Sequence, residues 1–470
     1  MNQAEPIEIH RQESGAARTI AAFAAGLRYE DLPDAVIERA KLSILDALGV
    51  GLASNAYPFA DAAFMGALAL GGVGTGSVIG RAEQLPLRDA ALINGILIHG
   101  LDFDDTHLAS IIHATAACLP AILSFGESLG SSGKDGLLAY ALGTEIAIRI
   151  GLAVKGGFHH VGFHATGVVA HFASAVAAGK LLDLDADGLT AAQGIAASTA
   201  SGVQVFLEEG AWTKRFHPGW AAVAGITAAR LAQNEFKGPS RPYEGKFGLL
   251  ETHLQAAAQD ADVAALTGDL GSTWTMVETA LKPYPVCHFI HGCADAAIAL
   301  HDQIAGSGIV SVEAYLPEPT LHIVAEPADA KENARTDYAA KFSAQFVVAT
   351  CLLKGRFGLS ELADAALADE TVHALARRVR CAADPESAFP EYFSGGVRVR
   401  LQDGRILWRH VRVNSGAPPN ALDRDAVSAK FLASATMILP ETQALRLREC
   451  ILDLENRPIR ELAATLRKLG

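Results

Sequence analysis

Along the first 270 residues, apolar positions recur at helical spacing. Leu32-Pro33 opens a stretch through Ala40-Lys41-Leu42-Ser43-Ile44-Leu45-Asp46-Ala47-Leu48, apolar at i, i+3, i+4 and i+7. Comparable Ala-rich patterns occupy 90–98, 136–154, 167–181, 190–201 and 219–234. Small residues on several of their faces predict helices packed closely on other helices. Near Asp269 the pattern changes. Ile309 to Leu316 alternates with period two, and 397–401 and 406–413 flank Gln402-Asp403-Gly404-Arg405, whose Asp-Gly pair predicts a hairpin turn. Segments 339–353 and 370–379 read as helices between these strands. After the linker Ser415-Gly416-Ala417-Pro418-Pro419-Asn420, helical spacing returns at 430–431, 442–454 and 460–469.

The expected fold class is mainly α with an α+β part. Residues 1–269 and 416–470 form one helical domain from both chain ends, with 270–415 inserted as an α+β domain. A chain of 470 residues is too long for one core, which suits that division. Charged residues make up only 19% and the formal net charge is −13, which argues against nucleic acid or an anionic membrane as the main partner. A local cluster of cations can still oppose the global sign and take an acidic substrate. Six scattered cysteines without a Cys-x-x-Cys pair predict a reduced, cytoplasmic protein. Met1 to Gly15 lacks the apolar core of a signal peptide, and the absence of an uncharged apolar stretch of about 20 residues predicts no membrane span.

Four stretches carry candidate chemistry. In His99-Gly100-Leu101-Asp102-Phe103-Asp104-Asp105-Thr106-His107, followed by His113, ionisable groups sit directly behind the apolar run 90–98. Buried ionisable groups are costly unless paired or functional. On a continuing helix Asp102, Asp105 and Thr106 would share one face, with His99 one turn back. In the competing reading Asp and Thr cap the next helix and the histidines are satisfied in the core. Phe158-His159-His160-Val161-Gly162-Phe163-His164 opens an apolar helix, where an imidazole is kept neutral and available as a base; surface histidines on a loop are the alternative. Thr213-Lys214-Arg215-Phe216-His217 sets cations beside a helix start, suited to carboxylates, or to pairing with Glu208 and Glu209 in solvent. The fourth, Lys282-Pro283-Tyr284-Pro285-Val286-Cys287-His288-Phe289-Ile290-His291, lacks the fourth ligand a structural zinc site needs. No G-x-S-x-G elbow is present, and the Gly71 to Gly80 run follows a helical pattern where a dinucleotide fingerprint requires a strand.

In their order, Asn-Gly…His-x-Leu-Asp-Phe-Asp-Asp-Thr, Phe-His-x-Thr, Thr-Lys-x-Phe-His and Tyr-Pro-x-Cys-His-x-x-His, these motifs resemble the MmgE/PrpD family from about Ala16 to about Asn456. That family includes 2-methylcitrate dehydratases, cis-aconitate decarboxylases and iminodisuccinate epimerases. The resemblance implies a helical domain with an α+β lid, a site in the cleft between them, a homodimer, and catalysis without metal or organic cofactor. It places catalytic roles on Asp102, Thr106, His113, His164 and Lys214. Arg215, His217, His288, His291, His322 and Lys341 are the expected substrate-binding residues, with His322 at a lid position that is often Tyr in decarboxylases. The implied activity is a lyase on a small di- or tricarboxylate, by proton transfer at a carbon next to a carboxylate; an epimerase of a dicarboxylic amino or imino acid is the alternative.

Overall fold

A computed structural model describes residues 15–304 and 306–467. The stretch bearing on a signal peptide lies, except for Gly15, outside them. The buried apolar side chains gather into two main cores. The larger draws on Ala16 to Leu281 and again on Val427 to Leu466; the smaller runs from Val286 to Leu401.

The larger core is mainly helical, with the short strand pair Gly76–Ser77 and Gln84–Leu85 at its edge. The Thr213–Gln233 helix packs along both Ala165–Leu181 and Leu87–Ile98, and Asp34–Ser54 packs on Arg424–Ala435 from the other chain end. Glycine makes the closest crossing possible: a Cβ on Gly95 would stand 2.4 Å from the Cα of Gly219. The Thr213–Gln233 helix starts before Pro218, six residues earlier than the sequence pattern predicts. This brings Lys214, Arg215 and His217 into its first turns.

One expectation about membranes changes. The Gly133–Val154 helix is long and apolar enough to cross a bilayer by length and composition. It is a core helix, 94% buried across its most apolar window, and it carries a buried ion pair, Arg149 Nε to Glu145 Oε1 at 2.7 Å.

The smaller core wraps a four-stranded sheet in the order Val379–Ala383, Ile309–Leu316, Gly395–Leu401, Ile406–Val411. The alternating strand and the hairpin form as predicted, with Val312 opposite Val399 and Val399 opposite Leu407. The fourth strand falls partly inside the predicted 370–379 helix. That helix ends at Ala376, and Val379–Ala383 joins Ile309–Leu316 in parallel. The predicted 339–353 helix is two pieces, Asp337–Lys341 and Ala344–Lys354. Ser343 breaks it by accepting a hydrogen bond from the Phe346 amide, an N-cap of the second piece. This break turns Tyr338, Lys341 and Phe342 towards the larger core.

Candidate active site

The Leu87–Ile98 helix stops at His99, and residues 99–118 run on as irregular backbone through the interior. No helix face therefore unites Asp102, Asp105 and Thr106. Asp102 has φ +54°, a left-handed conformation incompatible with a continuing helix. Its neighbours point apart. Asp105 is an anchor: its carboxyl accepts from Thr115 Oγ1 (2.7 Å) and the Thr115 amide, and Thr115 Oγ1 lies 2.6 Å from Tyr140 Oη. Burial and the adjacent Asp104 carboxylate push its pKa up to about 8, so it holds its proton at neutral pH. Lys430 ties the loop from the other side, donating to Phe103 O (2.8 Å) and pairing with Asp46 (2.6 Å).

What this loop presents is Asp102, Asp104, His99 and His113. The loop pairs with Ala280 through reciprocal backbone bonds at Thr106 (2.8 and 2.9 Å), which brings Lys282 alongside. Lys282 Nζ donates to Asp102 O (2.8 Å) and stands 3.5 Å from Asp102 Oδ1, while Lys214 Nζ approaches the same oxygen at 2.6 Å. Burial alone would disfavour the charge on Asp102, but the two ammonium groups hold its carboxyl well below the usual carboxylate range. Arg215 donates its Nε to Gly100 O, lies 4.5 Å over the Phe59 ring, and has no carboxylate in ion-pair reach among the described residues. From the smaller core, Lys341 lines the same pocket, paired with Asp337 Oδ2 at 2.9 Å.

Of the imidazoles, His99 lines this pocket, and His113, His164 and His217 cluster ring on ring beside it. His113 Nδ1 lies 2.8 Å from Asp105 O, which can only accept, so Nδ1 carries the proton and Nε2 the free lone pair. That Nε2 stands 4.0 Å from Asp102 Oδ1, and Thr106 Oγ1 is 3.5 Å from Nδ1. His164, at the N-terminus of the Ala165–Leu181 helix, shares one proton with His217 between their Nδ1 atoms, 3.0 Å apart. Burial pushes His113 down to about 3 and His217 to about 4, and lowers His164 well below its ordinary value. All three are neutral near pH 7 and can accept a proton.

Of the residues expected at the site, Asp102, Thr106, His113, His164, Lys214, Arg215, His217 and Lys341 come together here. His288 and His291 do not line the pocket. Their rings pack on each other (4.4 Å between centroids), and His288 turns to Asn414 and Phe393 in the smaller core. His322 is exposed on the four-residue helix Leu321–Val324 and makes no contact with the pocket. The aromatics that the smaller core does supply are Tyr338 and Phe342. Lys282 opens the fourth candidate stretch, but the sequence reading gives it no role at the site; its one further signal is its place directly after the apolar Ala280-Leu281 pair. Together Asp102, Lys214, Arg215, Tyr338 and Lys341 leave about 20 Å³ of free space, room for about one water. A neighbouring cleft of about 800 Å³ opens between Tyr57, Phe103, Pro283 and Leu359.

His99, Asp104 and His113 place ligand-type atoms within 4.8 Å of one another, a spacing a metal ion could use. His99 Nδ1 and Asp104 Oδ2 are already hydrogen-bonded at 2.7 Å, and the ammonium groups of Lys214 and Lys282 stand close by. A dication would have to break that bond and face both cations; a proton fits the cluster better.

Fold and site together define a helical enzyme whose neutral histidines and cations meet where its two cores touch. The chain belongs to the MmgE/PrpD family: the MmgE/PrpD N-terminal domain matches residues 18–261 and the MmgE/PrpD C-terminal domain residues 284–456. It is similar to cis-aconitate decarboxylase of Aspergillus terreus, 26% identical over 94% of both chains. It is also similar to human cis-aconitate decarboxylase, 27% identical over 94% of this chain and 92% of that one, and to 2-methylcitrate dehydratase of Escherichia coli (strain K12), 24% identical over 93% and 94%.

Proposed function

We propose that this protein is a lyase for a small di- or tricarboxylate, a hydro-lyase or carboxy-lyase like its relatives, working without metal or organic cofactor. The observation that carries this reading is the convergence of Lys214, Arg215 and Lys341 on one small pocket at Asp102, with Lys282 on the same carboxylate and the neutral imidazoles of His113, His164 and His217 clustered beside it. Four cations face the carboxylates of Asp102 and Asp337, leaving positive charge for an anionic substrate. A proton next to a carboxylate is weakly acidic, so its removal needs a positioned base and cations to hold the developing enediolate. His113 Nε2 is placed to act as base, and the imidazolium formed there, with His164 close by, as the acid. The acid protonates the leaving hydroxyl in a dehydration, or the carbon freed by loss of carbon dioxide in a decarboxylation.

The test is incubation with cis-aconitate, 2-methylcitrate and iminodisuccinate in deuterium oxide, followed by proton NMR. The reading expects net product from one of the first two. Deuterium uptake into iminodisuccinate without net product would make the protein an epimerase instead.

We propose further that the chain works as a homodimer in the cytoplasm. Phe216 and Trp220 on the Thr213–Gln233 helix, with Trp212 just before it, form an exposed stripe at helical spacing, which supports pairing through that face. The six cysteines are all unpaired, five of them buried, in keeping with a reducing compartment.

A further inference from the structure

Asp104 is fully buried between two imidazoles, and its two oxygens are used unequally. Oδ2 accepts from His99 Nδ1 at 2.7 Å. Oδ1 lies 3.5 Å from His113 Nδ1 and has no hydrogen-bond partner. A buried carboxylate oxygen left unpaired is expensive, and such an exception asks for a reason. In the resting site the His113 Nδ1 proton goes to Asp105 O instead, so Asp104 Oδ1 stands beside the ring without being engaged by it.

The groups around the pair narrow what that oxygen can be for. His113 also faces Asp102, whose charge is already shared by Lys214 and Lys282. The His99 ring meets it edge-on at 4.6 Å, and His164 lies at 6.5 Å. His288 approaches from the smaller core. Asp104 itself faces Lys282, with Lys430, Asp46 and the protonated Asp105 behind it. Burial opposes a charge on Asp104, yet His99, by attraction and by its hydrogen bond to Oδ2, holds the carboxyl below the usual range, so it is an anion at neutral pH. Of the carboxylates near His113, it is the one whose free oxygen is not committed to an ammonium group.

We propose that Asp104, held in place by His99, is a positioning residue for proton transfer at His113, supplying the counter-charge to the imidazolium that forms there. This rests on the lyase reading above. In a dehydration the substrate C–H bond breaks, its proton passes to His113 Nε2, and its electron pair delocalises into the adjacent carboxylate. In a decarboxylation the C–C bond to the leaving carbon dioxide breaks, and His113 Nε2 takes a proton from solvent and delivers it to the carbanion left behind. His113 then carries protons on both nitrogens, and its new positive charge lies beside Asp104 Oδ1. His99 fixes the other oxygen, so the charge is compensated without rearrangement of the loop.

The test compares Asp104→Asn, His99→Gln and His99→Leu with wild type, on whichever of cis-aconitate and 2-methylcitrate the wild type turns over. Asp104→Asn keeps the shape and removes the charge. Its kcat is expected to fall about 100-fold or more, the size of a general-base contribution, with KM within about threefold. The loss should be confined to kcat and be avoided when position 99 keeps an N–H donor, a pairing of outcomes that a merely structural role would not produce. His99→Gln, which keeps an N–H directed at Asp104, should retain kcat within about tenfold, whereas His99→Leu should match Asp104→Asn. The His99 pair decides the matter if Asp104→Asn fails to fold. An active wild type beside Asp104→Asn within about fivefold in kcat, or beside equal His99→Gln and His99→Leu variants, overturns the inference alone. A wild type silent on both substrates overturns the lyase reading, and the inference falls with it.

Discussion

Acidification should unfold this protein well before its carboxylates titrate. His107, His113 and His171 are buried as neutral imidazoles, pushed down to about 4, 3 and 4 respectively by burial. In the unfolded chain each takes a proton near pH 6.5. Below that pH the unfolded state binds more protons, so stability falls with pH until the folded-state values are reached. Each such group costs about 1.4 kcal/mol per pH unit. Asp105, raised to about 8, works in the opposite sense: the folded state holds its proton, so its penalty is relieved as pH falls from about 8 towards 4. Three groups lost against one gained leaves a slope of about 3 kcal/mol per pH unit between about pH 6 and 5. Against a total stability of about 5–15 kcal/mol this is large. His164, His288 and His291 are shifted the same way and steepen it. Urea unfolding followed by far-UV circular dichroism at about pH 7, 6 and 5 measures the slope directly. His171→Gln, in the helix core and outside the pocket, should flatten it by about 1.4 kcal/mol per pH unit. A midpoint that stays level from about pH 6.5 to 5, or a slope unaltered by His171→Gln, would refute the reasoning.

Three further outcomes are expected. Lys214→Met removes the cation 2.6 Å from Asp102 and should raise KM about tenfold or more in steady-state assays, more than it lowers kcat. Gly95→Val forces side-chain atoms onto the Gly219 backbone at the helix crossing, where even a Cβ would be 2.4 Å away, and should cost about 1–3 kcal/mol or more in urea unfolding. Phe216→Glu with Trp220→Glu, on exposed neighbouring rings 5.7 Å apart, should halve the mass measured by light scattering; an unchanged mass would exclude that face as the dimer contact.

The helices were legible because small and apolar residues repeat at 3.6-residue spacing, and the hairpin because Asp403-Gly404 marks its turn. Val379–Ala383 was hidden because Val-Arg-Cys-Ala-Ala shows no alternation; parallel pairing with Ile309–Leu316 makes it a strand, and that is a tertiary fact. The motif residues of the site could be found one at a time. Their division of labour could not. Asp102, Asp104 and Asp105 lie within four positions, yet one meets lysines, one meets histidines and one is a protonated anchor. That sorting depends on an irregular backbone that no periodicity encodes. Lys282 heads a candidate stretch, but its role is not legible there because it reaches the site through the Thr106–Ala280 bridge, a contact between segments more than 170 residues apart.

The left-handed backbone at Asp102 limits how this site can vary by inheritance. Among side chains, Asp and Asn accept that conformation most readily, and glycine accepts it freely. A mutation to Glu would keep the charge but strain the chain, shifting Phe103 and Asp104 and loosening both lysines from their shared oxygen. A mutation to Asn would spare the loop and discard the charge. The chain thus has single-step access to a site with one negative charge fewer, but not to one with the same charge on a longer arm. Relatives that differ here should carry Asn or Gly, or a rebuilt loop around a different residue.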